Sequence, residues 1–293
     1  MKAYFITVFV PFLICLISFQ FCCGDAFSGS IRNAVLSGSF YPSSRIRLEQ
    51  AIDNYTHMAG QLKIKIPFGK SIKALIMPHA GYIYSGFTAA HVFKVLSGAS
   101  IEKVILIGPD HYVGFRNGAI SDVEAYKTPI GLVKLHDDAS KMRLESDLFN
   151  PVPRSDSQEH SLEVILPFLQ SYLNEFEIVP IVLGPCDTGR VASFVEKYID
   201  FNTLIVVSSD LSHYLQYDEA VIKDKKTIRM ILNLETEKLK ISSNSACGKI
   251  PIIVLLDIAK RHGWKPVLLN YSNSGDTAGG RSRVVGYSAI AFY

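Results

Sequence analysis

The sequence predicts an α/β fold, a three-layer sandwich around a mostly parallel, partly mixed central sheet. Short apolar runs rich in valine and isoleucine alternate along the chain with longer helical patterns, which is typical of strands buried on both faces. Hydrophobic residues make up 48% of the 293 residues and charged residues 19%, a composition that argues against a disordered chain. We expect one domain over residues 26–293, preceded by a separate segment at residues 1–25.

Each predicted element follows from its hydrophobic pattern. The predicted buried strands are 74–77, 104–107, 178–183, 203–207 and 284–292. The predicted helices between them are 45–58, 89–96, 161–175, 191–198, 218–232 and 250–262. The last run alternates more strongly than the others, which favours an antiparallel strand at the end of the chain.

The first 25 residues differ from the rest. Lys2 precedes an apolar run over residues 3–21, the form of a signal peptide with a short basic region and an apolar core. Cys22 and Gly24 are small residues placed for cleavage after Gly24. The run is almost long enough to cross a bilayer, so an N-terminal membrane anchor is the alternative. We expect an exported (periplasmic or secreted) or membrane-anchored protein, with a cytoplasmic location as the alternative.

Charge and cysteine usage narrow the class of protein. The net charge is +3 and acidic and basic residues are interspersed, so we do not expect the protein to bind nucleic acid. We expect contact with a membrane only through the N-terminal segment. Three of the five cysteines lie in the first 25 residues, which leaves Cys186 and Cys247. Two cysteines do not make a disulfide framework, and the sequence leaves open whether they pair.

Titratable residues follow three of the predicted strands. His79 comes after the first strand, His111 after the second, and Asp210 with His213 after the fourth. In open α/β sheets, ligands bind beyond the carboxyl ends of the strands, so we expect these side chains to face one cleft. Taken singly, a histidine in such a place is more often structural, and Asp210 can be a helix cap; the set as a whole favours a site.

Imidazoles grouped with a carboxylate or a thiolate are the ligands of divalent transition metals. Two histidines and a carboxylate indicate non-haem iron(II), whereas two histidines and a thiolate also suit zinc or copper. Cys247 precedes an apolar helix, where the helix dipole is expected to lower the pKa of its thiol. The alternative is that Cys247 is a small buried apolar residue.

The stretch "EHSLEVILPF" adds another histidine to the candidates. His160 can line the cleft as an acid/base group or as a partner of a metal ligand. The alternative is that this stretch only starts a helix, capped by Ser161 or Glu163. A Ser-His-Asp hydrolase built from residues 208–213 is disfavoured, because Asp and His three residues apart rarely orient each other as a triad requires.

Seven motifs together resemble the Memo family, also called AmmeMemoRadiSam system protein B in bacteria. They are "LSGSFYP" (36–42), "PHAGYIYSG" (78–86), "GPDHY" (108–112), "EHSLEVILPF" (159–168), "VVSSDLSHY" (206–214), "ACGKIP" (246–251) and "YSNSGDTAGGRSRVVGYSAIAF" (271–292). The resemblance covers nearly all of the chain after the first segment. The sequence departs from the family pattern at Tyr112, Ile165 and Gly280.

The resemblance implies a fold similar to that of class III extradiol dioxygenases, which are non-haem iron enzymes. It places the metal ligands at His79, His111 and Cys247, with Asp210 and His213 lining the same pocket. The family is linked to iron or copper binding and redox activity, and one animal member to phosphotyrosine peptides. The family's reaction is not settled, so no substrate is implied.

The sequence therefore predicts a metal-binding protein that is dioxygenase-like or otherwise redox-active. We expect His79, His111 and Cys247 to bind a divalent metal, iron(II) in the first place, with copper or zinc as alternatives. Asp210, His213 and His160 are the predicted catalytic residues, acting on an unidentified small molecule or peptide. Two alternatives are a non-catalytic module that binds a peptide or an anion in the same cleft, and a metal-dependent hydrolase.

Overall fold

The computed structural model describes Met1 and residues 30–61 and 71–293. All but Met1 of the predicted signal peptide or anchor therefore lies outside the described residues. None of the helices in the described part of the chain has the length and apolar content needed to cross a bilayer.

The described residues form twelve strands, ten α-helices and three 3₁₀ turns. The strands are β1 (Ile31–Arg32), β2 (Ala74–Met77), β3 (Lys103–Pro109), β4 (Gly118–Ile120), β5 (Ala125–Lys127), β6 (Leu132–Lys134), β7 (Phe149–Asn150), β8 (Glu177–Leu183), β9 (Thr203–Ser208), β10 (His213–Leu215), β11 (Pro266–Asn273) and β12 (Val284–Phe292). The helices are α1 (Arg45–Gly60), α2 (Tyr82–Ala90), α3 (Phe93–Leu96), α4 (Asp137–Glu145), α5 (Pro153–Gln158), α6 (Leu166–Tyr172), α7 (Thr188–Val195), α8 (Tyr217–Leu232), α9 (Thr236–Ile241) and α10 (Lys249–His262). The 3₁₀ turns are Glu163–Ile165, Glu196–Tyr198 and Ser274–Asp276.

The larger sheet is mixed, with a parallel centre. Its order is β10-β12-β2-β9-β3-β8-β4-β7, and β11 pairs with β12. The four central strands β2, β9, β3 and β8 are mutually parallel, whereas β12 joins β2 and β4 joins β8 in antiparallel fashion. A second sheet among the described residues has the order β1-β5-β6. The predicted α/β class and mixed central sheet are confirmed.

Alternation along the central strands separates two hydrophobic cores. Leu106 belongs to one core, together with Leu48 of α1 and Phe168 of α6. Its neighbour Ile105 belongs to the other core, together with Ile252 of α10. Because successive side chains of a strand point to opposite faces, the sheet is covered by helices on both sides. This is the layered sandwich that the sequence predicts.

Several element boundaries differ from the predicted ones. α2 begins at Tyr82 instead of residue 89, directly after the turn at Gly81. The predicted helix 161–175 is a 3₁₀ turn followed by the shorter α6, Leu166–Tyr172. β11, Pro266–Asn273, was not predicted; it starts with proline and is only partly buried, so it lacks the continuous buried run that marks the central strands.

Candidate metal centre

The carboxyl ends of three neighbouring strands meet at one edge of the larger sheet. His79 lies two residues after β2, His111 two residues after β3, and Asp210 two residues after β9. Since β9 lies between β2 and β3 and all three are parallel, these residues share one edge. The backbone N–H of His79 donates to Oδ1 of Asp210 over 2.8 Å, so two of the strand ends are in direct contact.

Three histidines form the centre of the site. One potential ligand atom from each of His79, His111 and His160 lies within 4.8 Å of the other two. The ring centroids of His111 and His160 are 4.4 Å apart, and His79 is 5.1 Å from His160 and 5.2 Å from His111. Among the described residues, this is the one group of three His, Cys, Asp or Glu donors at such distances.

A buried carboxylate holds the ring of His111. Oε1 of Glu159 lies 2.8 Å from Nδ1 of His111, and Oε2 accepts the backbone N–H of His111 over 2.8 Å. Burial alone would raise the pKa of Glu159, but the hydrogen bond and charge of His111, with the N–H of Ser161, bring this pKa to about 2. An ionised carboxylate only accepts hydrogen bonds, so in the neutral ring of His111 the proton lies on Nδ1, and Nε2 carries the lone pair that a metal needs.

A buried hydroxyl holds the ring of His79. Oγ of Ser208 lies 2.7 Å from Nδ1 of His79 and donates its own proton to the carbonyl of Ser161. Nδ1 of His79 is therefore the donor in this pair, which leaves the lone pair on Nε2. Burial, and then the neighbouring histidines, lower the pKa of His79 well below its usual range, so its imidazole is neutral at pH 7.

The ring of His160 lies between Tyr112 and Phe40. Nδ1 of His160 is 3.2 Å from the phenolic oxygen of Tyr112 and 3.4 Å from Oε1 of Glu159. The ring of Phe40 packs against it with a centroid distance of 5.2 Å. Burial, followed by the proximity of His111, lowers the pKa of His160 to about 4, so this imidazole is also neutral at pH 7.

Cys247 lies beside one of the three histidines. Its Sγ is 3.3 Å from Nε2 of His79 and accepts the backbone N–H of Asp210 at 3.2 Å. It is not part of the group of mutually close donors, whose third member is His160. Burial and the charge of Asp210 raise the pKa of the Cys247 thiol, in contrast to the lowered pKa expected from its place before α10. Desolvation and the charge of Asp210 outweigh the hydrogen bonds from the backbone of Asp210 and Gly248, which act in the opposite direction.

Two further predicted residues lie at the same edge. Asp210 is 4% exposed, and burial raises its pKa to about 7, against the opposing hydrogen bond from the N–H of His79. His213 begins β10, its Nδ1 is 2.9 Å from the carbonyl of Leu211, and burial lowers its pKa. Neither belongs to the group of three close donors. The structure therefore places both predicted catalytic groups close to the histidines without a contact that assigns a role.

The donor set fits a divalent transition metal. Neutral imidazoles are ligands for zinc, iron and copper, and three of them leave a coordination position open. Bonds of about 2.0 Å to nitrogen and 2.3 Å to sulfur, at a tetrahedral angle, separate the two atoms by about 3.5 Å. The 3.3 Å between Nε2 of His79 and Sγ of Cys247 is close to that value, so this pair also fits one shared ion.

Sequence reasoning missed two groups that orient the histidines. Glu159 directly precedes His160, but nothing in that adjacency shows that its carboxylate reaches His111, 48 residues away. Ser208 is the last residue of β9, and its side chain joins two other loops. Cys186 and Cys247, whose pairing was left open, are both free thiols.

The family model and the relatives that match this chain all carry descriptions of the same family. Residues 32–291 match the family model described as "Memo-like protein". A "MEMO1 family protein" of Aquifex aeolicus is 38% identical over 274 residues, which cover 89% of this chain and 99% of that protein. Proteins with the same description from Nitrosopumilus maritimus and Aeropyrum pernix are each 36% identical, with the same coverage.

Proposed function

The chain belongs to the Memo family, and from this premise we propose that it is a metal-dependent protein with dioxygenase-like or other redox activity. In this proposal His79, His111 and His160 bind one divalent ion, and Cys247 is an additional donor. Iron(II) is the first candidate, with copper and zinc as alternatives. The observation that supports it is the group of three imidazoles whose ligand atoms lie within 4.8 Å of one another.

The chain's own residues supply the other parts of such a site. A bound iron(II) supplies redox chemistry and open coordination positions. Glu159 and Ser208 fix the tautomers of His111 and His79, so that Nε2 of each ring is available. We propose that Asp210, with a pKa of about 7, accepts or returns a proton near the ion, and that His213 is a second group able to do so.

Metal analysis of the purified protein is the experiment that tests this proposal. We expect about one equivalent of metal in the wild type and a large loss in His79→Ala, which removes the candidate ligand whose Nε2 also lies 3.3 Å from Sγ of Cys247. Cys247→Ala and His160→Ala test the sulfur and the third imidazole separately, because only a variant that removes a true ligand loses metal. Unchanged metal content in all three variants would refute the site.

A metal-dependent hydrolase is the second candidate function. Three histidines without a carboxylate in the close group are the ligand pattern of catalytic zinc sites, whereas non-haem iron oxygenases more often use two histidines and a carboxylate. The buried Asp210 is then the group that takes a proton from water. Bound zinc and an absence of oxygen uptake with the metal-loaded protein would favour this candidate over redox activity.

A binding role for the same cleft is also a proposal. The guanidinium group of Arg283 lies 4.9 Å from the ring centre of Tyr214, whose ring neighbours that of His213. Arg281 lies in the same way over Tyr217, at 4.4 Å. These cations can hold a peptide or an anionic small molecule at the rim of the cleft. Binding of such a ligand by metal-free protein, with unchanged affinity, would favour a non-catalytic module.

We also propose that residues 1–25 direct the protein out of the cytoplasm or anchor it in a membrane. The basis is the pattern of Lys2 and the apolar run that follows it. N-terminal sequencing of the mature protein tests this: a first residue of Asp25 indicates cleavage after Gly24, and an intact Met1 in a membrane fraction indicates an anchor. An intact Met1 in the cytoplasmic fraction would contradict both.

A further inference from the structure

A second buried polar cluster lies next to the histidines. It is centred on Glu163, which is completely buried and follows His160 by three residues. Its carboxylate accepts four hydrogen bonds from one short stretch of the chain near the start of the described residues. The donors are Nη1 of Arg32 (2.6 Å), the backbone N–H of Val35 (3.0 Å), the backbone N–H of Leu36 (2.8 Å) and the phenol of Tyr41 (2.5 Å).

The same cluster also fixes the chain on the other side of His160. Nε of Arg32 donates to the carbonyl of Asp156 over 2.6 Å, and Nη2 donates to the carbonyl of Glu159 over 2.8 Å. Arg32 thus joins the carboxylate of Glu163 to the backbone of the residue whose side chain holds His111. Both ends of the segment 159–163 are therefore tied to Arg32, one end through its ion pair with Glu163.

The stretch that Glu163 binds also contacts the histidines directly. Phe40 precedes Tyr41, and its ring is the one that packs against His160 at 5.2 Å. The carbonyl of Phe40 accepts the backbone N–H of Tyr82, at the start of the helix that follows His79. Phe40 therefore borders the site at His160, and the carboxylate of Glu163 holds the stretch that carries Phe40.

From these contacts we infer that Glu163 is a positioning residue for the metal centre, acting through Arg32 and Tyr41 on Glu159 and His160. The inference rests on the proposed metal site. Glu163 touches none of the three candidate ligands itself, so its effect is to set the placement of two rings. A polar network that is satisfied at every acceptor is rigid, and loss of one partner is felt across it.

Glu163→Gln is the variant that tests this role. An amide keeps one acceptor oxygen, and its NH₂ group then faces either Arg32 and Val35, which can only donate, or Leu36 N–H and the phenol of Tyr41, which can also accept. At least one of the four hydrogen bonds therefore fails, and Arg32 loses its charged partner. We expect the affinity for Co²⁺, measured by its visible absorption, to fall about tenfold, with a changed spectrum. Tyr41→Phe removes a single hydrogen bond at nearly constant volume, and we expect a smaller shift in the same direction.

Lys103→Met is the matched control. Lys103 is also buried and also pairs with two acidic side chains, Asp138 at 2.8 Å and Asp200 at 2.6 Å. Lys103 is the first residue of β3, whereas His111 follows the last residue of that strand. The ion pairs of Lys103 therefore lie at the end of the strands opposite to the histidines. We expect this variant to lower the melting temperature but to leave the Co²⁺ affinity and spectrum unchanged.

A readout without metal separates this inference from the proposed function. In metal-free protein, imidazole ¹H–¹⁵N correlation spectra report the tautomer and surroundings of His111 and His160. We expect these signals to shift in Glu163→Gln and Tyr41→Phe and to stay in place in Lys103→Met. If the wild type binds no Co²⁺ but the two variants still show these shifts, the proposed metal site is refuted and the positioning role of Glu163 stands. Wild-type imidazole signals in both folded variants, with wild-type Co²⁺ spectra, would overturn the inference.

Discussion

The hydroxyl of Ser208 lies 2.7 Å from Nδ1 of His79 and donates its own hydrogen bond to the backbone carbonyl of Ser161. This chain of contacts settles which nitrogen of the ring is protonated, because the hydroxyl has only one proton to give. It also joins the end of β9 to the loop that carries His160, through the carbonyl of Ser161. A single buried serine thus sets the tautomer of one candidate ligand and contacts the segment that carries another.

Ser208→Ala is therefore expected to weaken metal binding. The buried Nδ1–H of His79 loses its acceptor, which costs about 1–3 kcal/mol of unfolding free energy in the metal-free protein. Metal affinity should fall by about 10–100-fold, as is usual when a partner of a ligating histidine is removed. Isothermal titration with Zn²⁺ measures the affinity, and urea unfolding measures the stability.

Ser288→Ala is the control for this experiment. Ser288 is fully buried in β12, and its Oγ has no hydrogen-bond partner in the described part of the protein. Its removal should leave metal affinity unchanged. Equal losses of metal affinity in the two variants would show that removing any buried serine hydroxyl weakens binding, and that the hydrogen bond of Ser208 to His79 has no specific effect.

The stability of the metal-free protein should depend on the protonation of His160. Its pKa is about 4 in the folded protein and near 6.5 in an unfolded chain. Because the folded state binds the proton less readily, the stabilisation is complete above pH 6.5 and is lost as the pH falls towards 4. We expect this group to contribute on the order of 2–3 kcal/mol to the difference between pH 7 and pH 4.

Urea unfolding of the wild type and of His160→Gln over that pH range measures the contribution. A glutamine does not titrate, so the variant should lose less stability on acidification than the wild type. Parallel curves for the two proteins would contradict the lowered pKa of His160.

The thiol of Cys247 should be unreactive in the metal-free protein. Burial and the charge of Asp210 raise its pKa, and burial followed by Asp187 raises the pKa of Cys186 to about 11. At pH 8 both thiols are protonated, so alkylation by iodoacetamide should be at least about 100-fold slower than for an ordinary thiol of pKa 8.5. Peptide mass spectrometry assigns the labelled residue, and the same protein in urea is the control. Rapid labelling of Cys247 in the folded protein would support the thiolate that the helix position predicts.

The central strands were predictable because their sequences leave few alternatives. β3 and β9 each contain four consecutive residues of the valine, isoleucine and leucine type, and both strands are buried along their whole length. Since they are parallel neighbours, residues just beyond them had to share an edge. The positions of His111 and Asp210 at that edge follow from topology alone.

The place of His160 could not be predicted in this way. It lies in a loop between α5 and a 3₁₀ turn, not at the end of a strand. The loop reaches the site because Glu159 binds the backbone and the ring of His111, and because Oγ of Ser161 donates to the carbonyl of Pro109 at 3.2 Å. These contacts join residues about 50 positions apart, and no local pattern encodes them.

Gly248→Ala should disturb the candidate metal centre through packing alone. A Cβ at this position would lie 2.6 Å from Cβ of Ser209 and 2.7 Å from the carbonyl oxygen of Ser208. A backbone oxygen cannot move aside without moving its strand end, so either Asp210 or Cys247 must shift. We expect a stability loss of about 1–3 kcal/mol and a lower metal affinity, measured by urea unfolding and by Zn²⁺ titration. Gly280→Ala is the control, because nothing lies within 4 Å of its added Cβ. Wild-type affinity in a destabilised Gly248→Ala protein would show that the contact between α10 and β9 supports the fold without setting the geometry of the site.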